Sequence, residues 1–304
     1  MKIKIKKTCL ALSCAAALPL IASANEPDIS FYGSLRVIAE AADHENGDNF
    51  QDGLSRVGVN GNHDLGDGLS VFANYELKVD LAEGEIGSET SNDARQSYVG
   101  LKGDFGTVQF GRYWSTYYNA IASAPDQLLL NSAPVYYTLD PNFHIGKSAM
   151  YTSPSINGFQ VSVLYSDEAE QGQLSSTYQV TDRLRVAVGF IEDDQNDAAG
   201  VSAYYKGNGY YLSGMYMDKD NTGKGFDIIS GVSSGKSTYT LGVSSYKDQT
   251  DTNNSNNDFD AIILGYQYAI HPSVQAFVEA WSWDGVLYGV PDSKSARFGL
   301  KYDF

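Results

Sequence analysis

The chain has 304 residues, with 37 acidic against 21 basic side chains, a formal net charge of -16, 22 tyrosines, 30 glycines and two cysteines. So acidic a chain lacks the basic surface that displaces counterions from nucleic acid, which leaves ions and small solutes as partners. Beyond the first segment no stretch supplies the ~18 consecutive apolar residues of a membrane-spanning helix.

Lys2, Lys4, Lys6 and Lys7, an apolar run from about Cys9 to Ile21, and Ala22-Ser23-Ala24 read as an export signal over residues 1–24, cut after Ala24. The apolar run is shorter than the ~20 residues of a spanning helix, and Pro19 interrupts it. Removal of four lysines leaves 17 basic residues (21 − 4) against 37 acids, so residues 25–304 carry a charge of -20 (17 − 37). Both cysteines, Cys9 and Cys14, fall in the signal. The exported part, 280 residues (304 − 24), therefore has no disulfide, and its length suits one large closed sheet.

Strand-like runs between turn residues follow at 29–40, 53–64, 69–80, 94–103, 106–114, 146–153, 158–166 and 172–180. Eight more lie at 183–191, 197–206, 209–218, 224–233, 236–247, 259–269, 273–284 and 293–304. Many alternate. Val71, Ala73, Tyr75, Leu77 and Val79 share one face of the third run, while Asn74, Glu76, Lys78 and Asp80 share the other. In the last run Ala296, Phe298, Leu300, Tyr302 and Phe304 oppose Arg297, Lys301 and Asp303.

Such alternation suits a wall between lipid and water, and equally a half-exposed soluble sheet. The connections separate the two. Short turns (65–68, 103–105, 181–182, 207–208, 234–235, 271–272) alternate with longer polar stretches (41–52, 81–93, 115–145, 192–196, 219–223, 248–258, 285–292). Sorting by parity predicts a transmembrane antiparallel β-barrel of sixteen strands with both termini at the short-turn end. Hydrocarbon offers no partner to an open edge, so the first and last strands should pair.

Phe31-Tyr32-Gly33-Ser34-Leu35-Arg36, Ser55-Arg56-Val57-Gly58-Val59-Asn60-Gly61, Leu65-Gly66-Asp67-Gly68-Leu69, and Arg95-Gln96-Ser97-Tyr98-Val99-Gly100-Leu101-Lys102-Gly103-Asp104-Phe105-Gly106 running on to Phe110-Gly111-Arg112 stand in this order, and the chain ends Lys301-Tyr302-Asp303-Phe304. Across essentially all of residues 25–304 the chain resembles the general diffusion porins of Gram-negative outer membranes. The resemblance implies a homotrimer in the cell outer membrane, in contact with lipid and lipopolysaccharide, whose third outer loop folds inward to narrow the bore. Residues 115–145 hold that loop's place; Asn119 to Asp126 and Leu128 to Leu130 make it more apolar than a solvated loop. The acidic, glycine-rich inward motif of enteric members is absent.

In such porins, wall cations facing acids on the inward loop set a transverse field across the bore. Arg56 and Arg95 match family wall arginines. Arg36 shares a face with Ser34, which stands where the family often has lysine, and Arg112 begins the loop. Asp126 and Asp140 are the expected opposing acids. The implied function is passive diffusion of ions and small hydrophilic solutes, with the acidic total favouring cations. A substrate-selective channel for a sugar or an anion is the alternative, and an adhesive or lipolytic barrel a third reading.

No enzyme, cofactor or metal site is expected. His44, His63, His144 and His271 are scattered and no Gly-x-Ser-x-Gly elbow occurs. The run from Asp218 opens like a calcium loop but has Ile229 where a bidentate Glu is needed. Glu192-Asp193-Asp194 and the acids from Asp248 to Asp260 read as solvated loop charge.

Overall fold

A computed structural model describes residues 26–43, 50–87, 94–130, 132–140, 143–194, 196–250 and 257–304. The expected export signal and its cleavage point, His44 and most of the Asn-rich run 253–257 lie outside the described residues.

Sixteen strands form the wall: β1 Asp28–Ala42, β2 Arg56–Gly66, β3 Leu69–Asp80, β4 Ala94–Gly103, β5 Gly106–Trp114, β6 His144–Thr152, β7 Phe159–Ser166 and β8 Gln171–Thr181, followed by β9 Leu184–Asp193, β10 Ala198–Lys206, β11 Tyr210–Lys219, β12 Gly223–Ser234, β13 Ser237–Asp248, β14 Phe259–His271, β15 Val274–Leu287 and β16 Val290–Asp303. Each pairs antiparallel with the next. β1 also pairs with β16, from Ser34↔Asp303 to Ala42↔Ser295, so the sheet closes. Two-residue ladders at Gln51–Asp52 and Glu85–Ile86 extend the rim.

The outer face is apolar along strand after strand. In β12 Phe226, Ile228 and Val232 are exposed while Asp227 and Ile229 are buried; in β13 Tyr239, Leu241 and Val243 are exposed while Thr240 and Ser244 are buried. On a closed cylinder this is the lipid-facing pattern with an inward polar face.

The loop asymmetry holds most clearly for the first half. The expected loop 285–292 is instead mostly strand: β15 runs to Leu287, β16 starts at Val290, and Tyr288 (φ 52°) with Gly289 (φ 79°) close them in a two-residue turn. Two left-handed residues in succession match the twist of a hairpin, and this lets the ladder continue past the place where composition suggested a loop. The connections at 194–197 and 220–222 are likewise short.

Between β5 and β6 the chain turns into the barrel. It forms one π-type turn, Tyr118–Ala122, and a short helix α1, Pro134–Leu139. Tyr117, Ile121, Val135 and Tyr136 are fully buried against inward residues of the wall that include Ala187, Met215, Met217, Ile229 and Ile263. Each such apolar side chain contributes about 1.5–3 kcal/mol. Glycine on the wall makes the approach possible: a Cβ at Gly225 would stand 2.8 Å from Val135 Cγ1, and one at Gly200 would collide with the Tyr117 hydroxyl.

The seam is sealed by the last residue. Gly33 N donates to Phe304 O (3.0 Å) and Phe304 N to Gly33 O (3.1 Å). The Phe304 ring lies over Gly33, where a Cβ would stand 2.5 Å from ring carbon Cζ. Replacing Gly33 with Val should therefore splay the seam at a cost of about 1–3 kcal/mol, the usual penalty of overpacking. Heat-modifiable mobility in detergent gels should shift to a lower melting temperature; an unchanged melting temperature would show that the ring moves aside freely.

Candidate functional site

One space inside the barrel, about 560 Å³, lies between the wall and the inner segment. Arg36, Arg56, Arg95 and Arg297 line its wall side; Asp126, Leu128, Leu129, Leu130, Tyr118 and Tyr137 line it from the inner segment. Three of the four expected arginines and one of the two expected acids thus meet around one opening.

The arginines arrive there by different routes. Arg36 is on the inward face of β1 with Ser34 and Glu40, all buried. Its Nε donates to Ser34 Oγ (3.3 Å) and its Nη1 to the backbone oxygen of Leu129. Arg95 shares parity with Val99 and Leu101, which face outward, so strict alternation would send it to lipid. The β3–β4 register shifts between Glu76 and Leu77, opposite Arg95, and this bulge turns the side chain inward. Arg95 Nε then donates to Glu76 Oε1 (2.8 Å), while Arg56 Nε stands 3.7 Å from Glu76 Oε2.

Glu76 is the acid that neither composition nor resemblance singled out. It is almost fully buried and also accepts from Tyr32 Oη (3.1 Å) and Gln96 Nε2 (3.4 Å). Arg56 and Arg95 are therefore paired with an acid on the wall rather than with one on the inner segment. Arg297 repeats the pattern, donating to Glu40 Oε1 (3.0 Å), whose other oxygen accepts from Gln51 Nε2 (2.6 Å).

Asp126 lines the opening, but its carboxylate is turned into its own segment. It accepts from Tyr118 Oη (2.7 Å), Tyr137 Oη (2.9 Å) and Ser132 N (3.3 Å). Burial pushes its carboxyl above the usual range, partly offset by those donors. Burial and the neighbouring carboxylate raise the tyrosine hydroxyls, which keeps them as donors.

Asp140 is not part of the opening: buried at the end of α1, it accepts from Tyr136 Oη at 3.4 Å. Arg112 is also elsewhere, 3.5 Å from Glu168. The expectation for Arg112 comes from its position at the start of the loop; the β5–β6 register shifts between Gly111 and Tyr113, and at this irregularity its side chain stands beside Glu168.

Wall acids hold the inner segment by its backbone. Glu279 on β15, fully buried, accepts from the amides of Leu129 (2.8 Å) and Leu130 (3.2 Å). Asp227 on β12 accepts from Val135 N and Tyr136 N (3.2 Å each), the free donors of the first turn of α1. Beside the opening, Trp114 stacks on Tyr118 (4.3 Å) and Phe143 (5.4 Å), and Arg95 Cζ lies 5.8 Å from the Trp114 ring centre. Among the described residues no group of three or more His, Cys, Asp or Glu side chains could hold a metal ion.

A family model described as Gram-negative porin matches residues 11–304. This chain belongs to the Gram-negative porin family. The porin is 25% identical over 344 residues to the major outer membrane protein P.IB of Neisseria meningitidis serogroup B, covering 99% of this chain and 100% of that one. The P.IB of Neisseria gonorrhoeae is 25% identical over 333 residues, covering 91% and 93%. In fold, the porin is similar to OmpT of Vibrio cholerae in its trimer form (TM-score 0.76, 18% identity, 92% of this chain and 100% of that one). It is equally close to the anion-selective porin of Comamonas acidovorans (TM-score 0.76, 16% identity, 92% and 100%) and to Salmonella typhi OmpF in complex with daunomycin (TM-score 0.76, 18% identity, 91% and 97%). It is an outer-membrane channel for the passive diffusion of ions and small hydrophilic solutes, crossing the membrane many times as a closed barrel.

The wall clamps carry a testable consequence. Glu279→Ala removes the acceptor shared by two buried amides, at a cost of about 1.5–3 kcal/mol for charged hydrogen bonds. Amide exchange at Leu129 and Leu130 should accelerate at least ~tenfold while the β14–β15 ladder stays protected. Unchanged protection at the two leucines would show that apolar packing alone holds the segment.

Proposed function

We propose that the opening between the wall arginines and residues 126–130 is the narrowest part of the pore and the place where solutes are sorted. The observation that carries this reading is the tethering of Leu129 and Leu130, which belong to the segment between β5 and β6, to a distant part of the wall, by Arg36 on β1 and Glu279 on β15. Passage involves no covalent step and no cofactor: a hydrated solute exchanges part of its water for the side chains it passes. The charge pattern is a set of arginine–carboxylate pairs along one wall, facing an apolar and aromatic flank. This departs from a field set by acids on the inner segment.

The protein works as a homotrimer in this reading, embedded in lipid with lipopolysaccharide around its outer rim. The trimer form of the Vibrio cholerae relative in fold supports the assembly. So does an apolar recess on the outer face of β1 to β5, bordered by Ile29, Val59, Ala73, Tyr75, Val99 and Phe110, where a second copy could seat.

A second reading, a channel preferring one class of sugar or anion, is favoured by Trp114, Tyr118, Tyr137 and Phe143 beside the arginines. Ring faces next to fixed charges are the furniture of solute binding rather than of simple sieving. Saturable block of conductance by one solute separates it from general diffusion.

Two reciprocal variants test the sorting role. Arg56→Ser with Arg95→Ser leaves Glu76 without its cations and should move the reversal potential toward cation preference in planar bilayers under a salt gradient. Glu76→Gln leaves the arginines without a carboxylate and should move it toward anions. Reversal potentials that stay put in both variants would remove these residues from the constriction.

A further inference from the structure

On the short-turn side of the inner segment a second recess of about 340 Å³ opens into the bore between β8, β9 and β10. Arg183, Arg185 and Lys206 line it beside Tyr204, and Ser123 and Gln127 of the inner segment roof it. Arg185 and Tyr204 are direct partners across the β9–β10 ladder, and Lys206 falls on the same face two residues on. Arg185 Nη2 reaches Ser123 Oγ at 3.5 Å, which sets its guanidinium beneath the inner segment. Arg183 sits on the turn itself, with its Nη2 at 3.5 Å from Asn208 Oδ1.

The three cations differ from most of those at the opening above. Arg56, Arg95 and Arg297 are each matched to a wall carboxylate, and Arg36 donates to Ser34 Oγ and the Leu129 backbone oxygen. Among the described residues Arg183, Arg185 and Lys206 take part in none of the ion pairs, and the lining supplies a single acid, Asp182. In a chain of net charge -16, three cations gathered with one carboxylate leave a locally positive recess that attracts an anion.

We propose that this recess is a docking subsite for a small oxyanion of the phosphate class, occupied at the short-turn mouth of the pore. The planar fork of Arg185 matches two oxygens of such an anion. Lys206 adds a mobile point charge, Arg183 guards the rim, and the Tyr204 hydroxyl is a further donor. The subsite rests on the bore being the solute pathway, because its roof is the inner segment.

The test is pyrophosphate added to each chamber in turn while single channels carry KCl current. Brief blocks are expected from one chamber at a concentration ~tenfold lower than from the other, the difference that one or two charge-assisted hydrogen bonds make. Arg185→Ser with Lys206→Ser should abolish that asymmetry and keep the KCl conductance, whereas Arg185→Lys should retain the block. Should the double variant fail to insert, Arg183→Ser on the exposed turn is expected to weaken the block severalfold. Blocks that persist undiminished in these serine variants, or KCl current that pyrophosphate never interrupts, overturn the subsite while leaving the pore intact. A native protein that carries no KCl current overturns the pathway itself.

Discussion

A peptide segment placed inside a barrel cannot leave its amides unpaired, and the whole arrangement of the bore follows from how the wall meets that demand. The inner segment has too little regular structure to satisfy itself: one π-type turn and a six-residue helix. The wall supplies the partners. Gln173 accepts from Tyr117 N (3.0 Å), Ser202 donates to Ala120 O (2.7 Å), Glu279 takes two amides and Asp227 two more. These residues come from β8, β10, β15 and β12, so the segment is fixed from several directions around the ring. An unpaired buried amide costs about 1–3 kcal/mol. The position of the opening is thus a property of the wall as much as of the segment that narrows it.

Two separate codes are written on the strands as a result. Outward positions follow lipid and are mostly apolar, which makes strand number, order and closure legible from alternation and turn chemistry. Inward positions follow whatever lies behind them. Where the inner segment packs, they turn apolar or vanish: Met217, Ile229 and Ile263 are buried inside, and Gly200 and Gly225 clear space for Tyr117 and Val135. Strands such as β12 and β14 therefore carry apolar residues on both faces, and this blurs the contrast on which alternation depends.

The same logic explains which site residues could be read and which could not. Arg36 follows from parity once its strand is placed. Arg95 does not, because a bulge reverses its direction; only its likeness to family wall arginines located it. Arg112 fails for the complementary reason, since likeness placed it near the loop while an irregular ladder turned it toward Glu168. Charge alone points to Asp126 and Asp140, but a carboxylate in an apolar segment is held by the nearest hydroxyls and amides before it can face the bore. The wall acids were visible in outline: Asp227 lies between Phe226 and Ile228, and Glu279 between Val278 and Ala280. An acid flanked by apolar residues in the middle of a spanning strand must face inward and find donors there.

Net charge and local charge must then be kept apart when selectivity is considered. Much of the acidic excess sits in loops and at the rim, where it is screened by salt over about 8–10 Å. Inside the bore, water is thin and the walls are of low dielectric, so a few fixed charges act with little screening. There the acids are largely spent: Glu76 and Glu40 on arginines, Glu279 and Asp227 on amides, Asp126 on tyrosines. At the opening, Arg36 apart, a permeating ion meets groups whose charge is already answered, with arginine edges on one side and aromatic rings on the other. If the opening is where solutes are sorted, as proposed, selectivity depends on how easily those pairs open toward a solute, which the acidic total of the chain does not report.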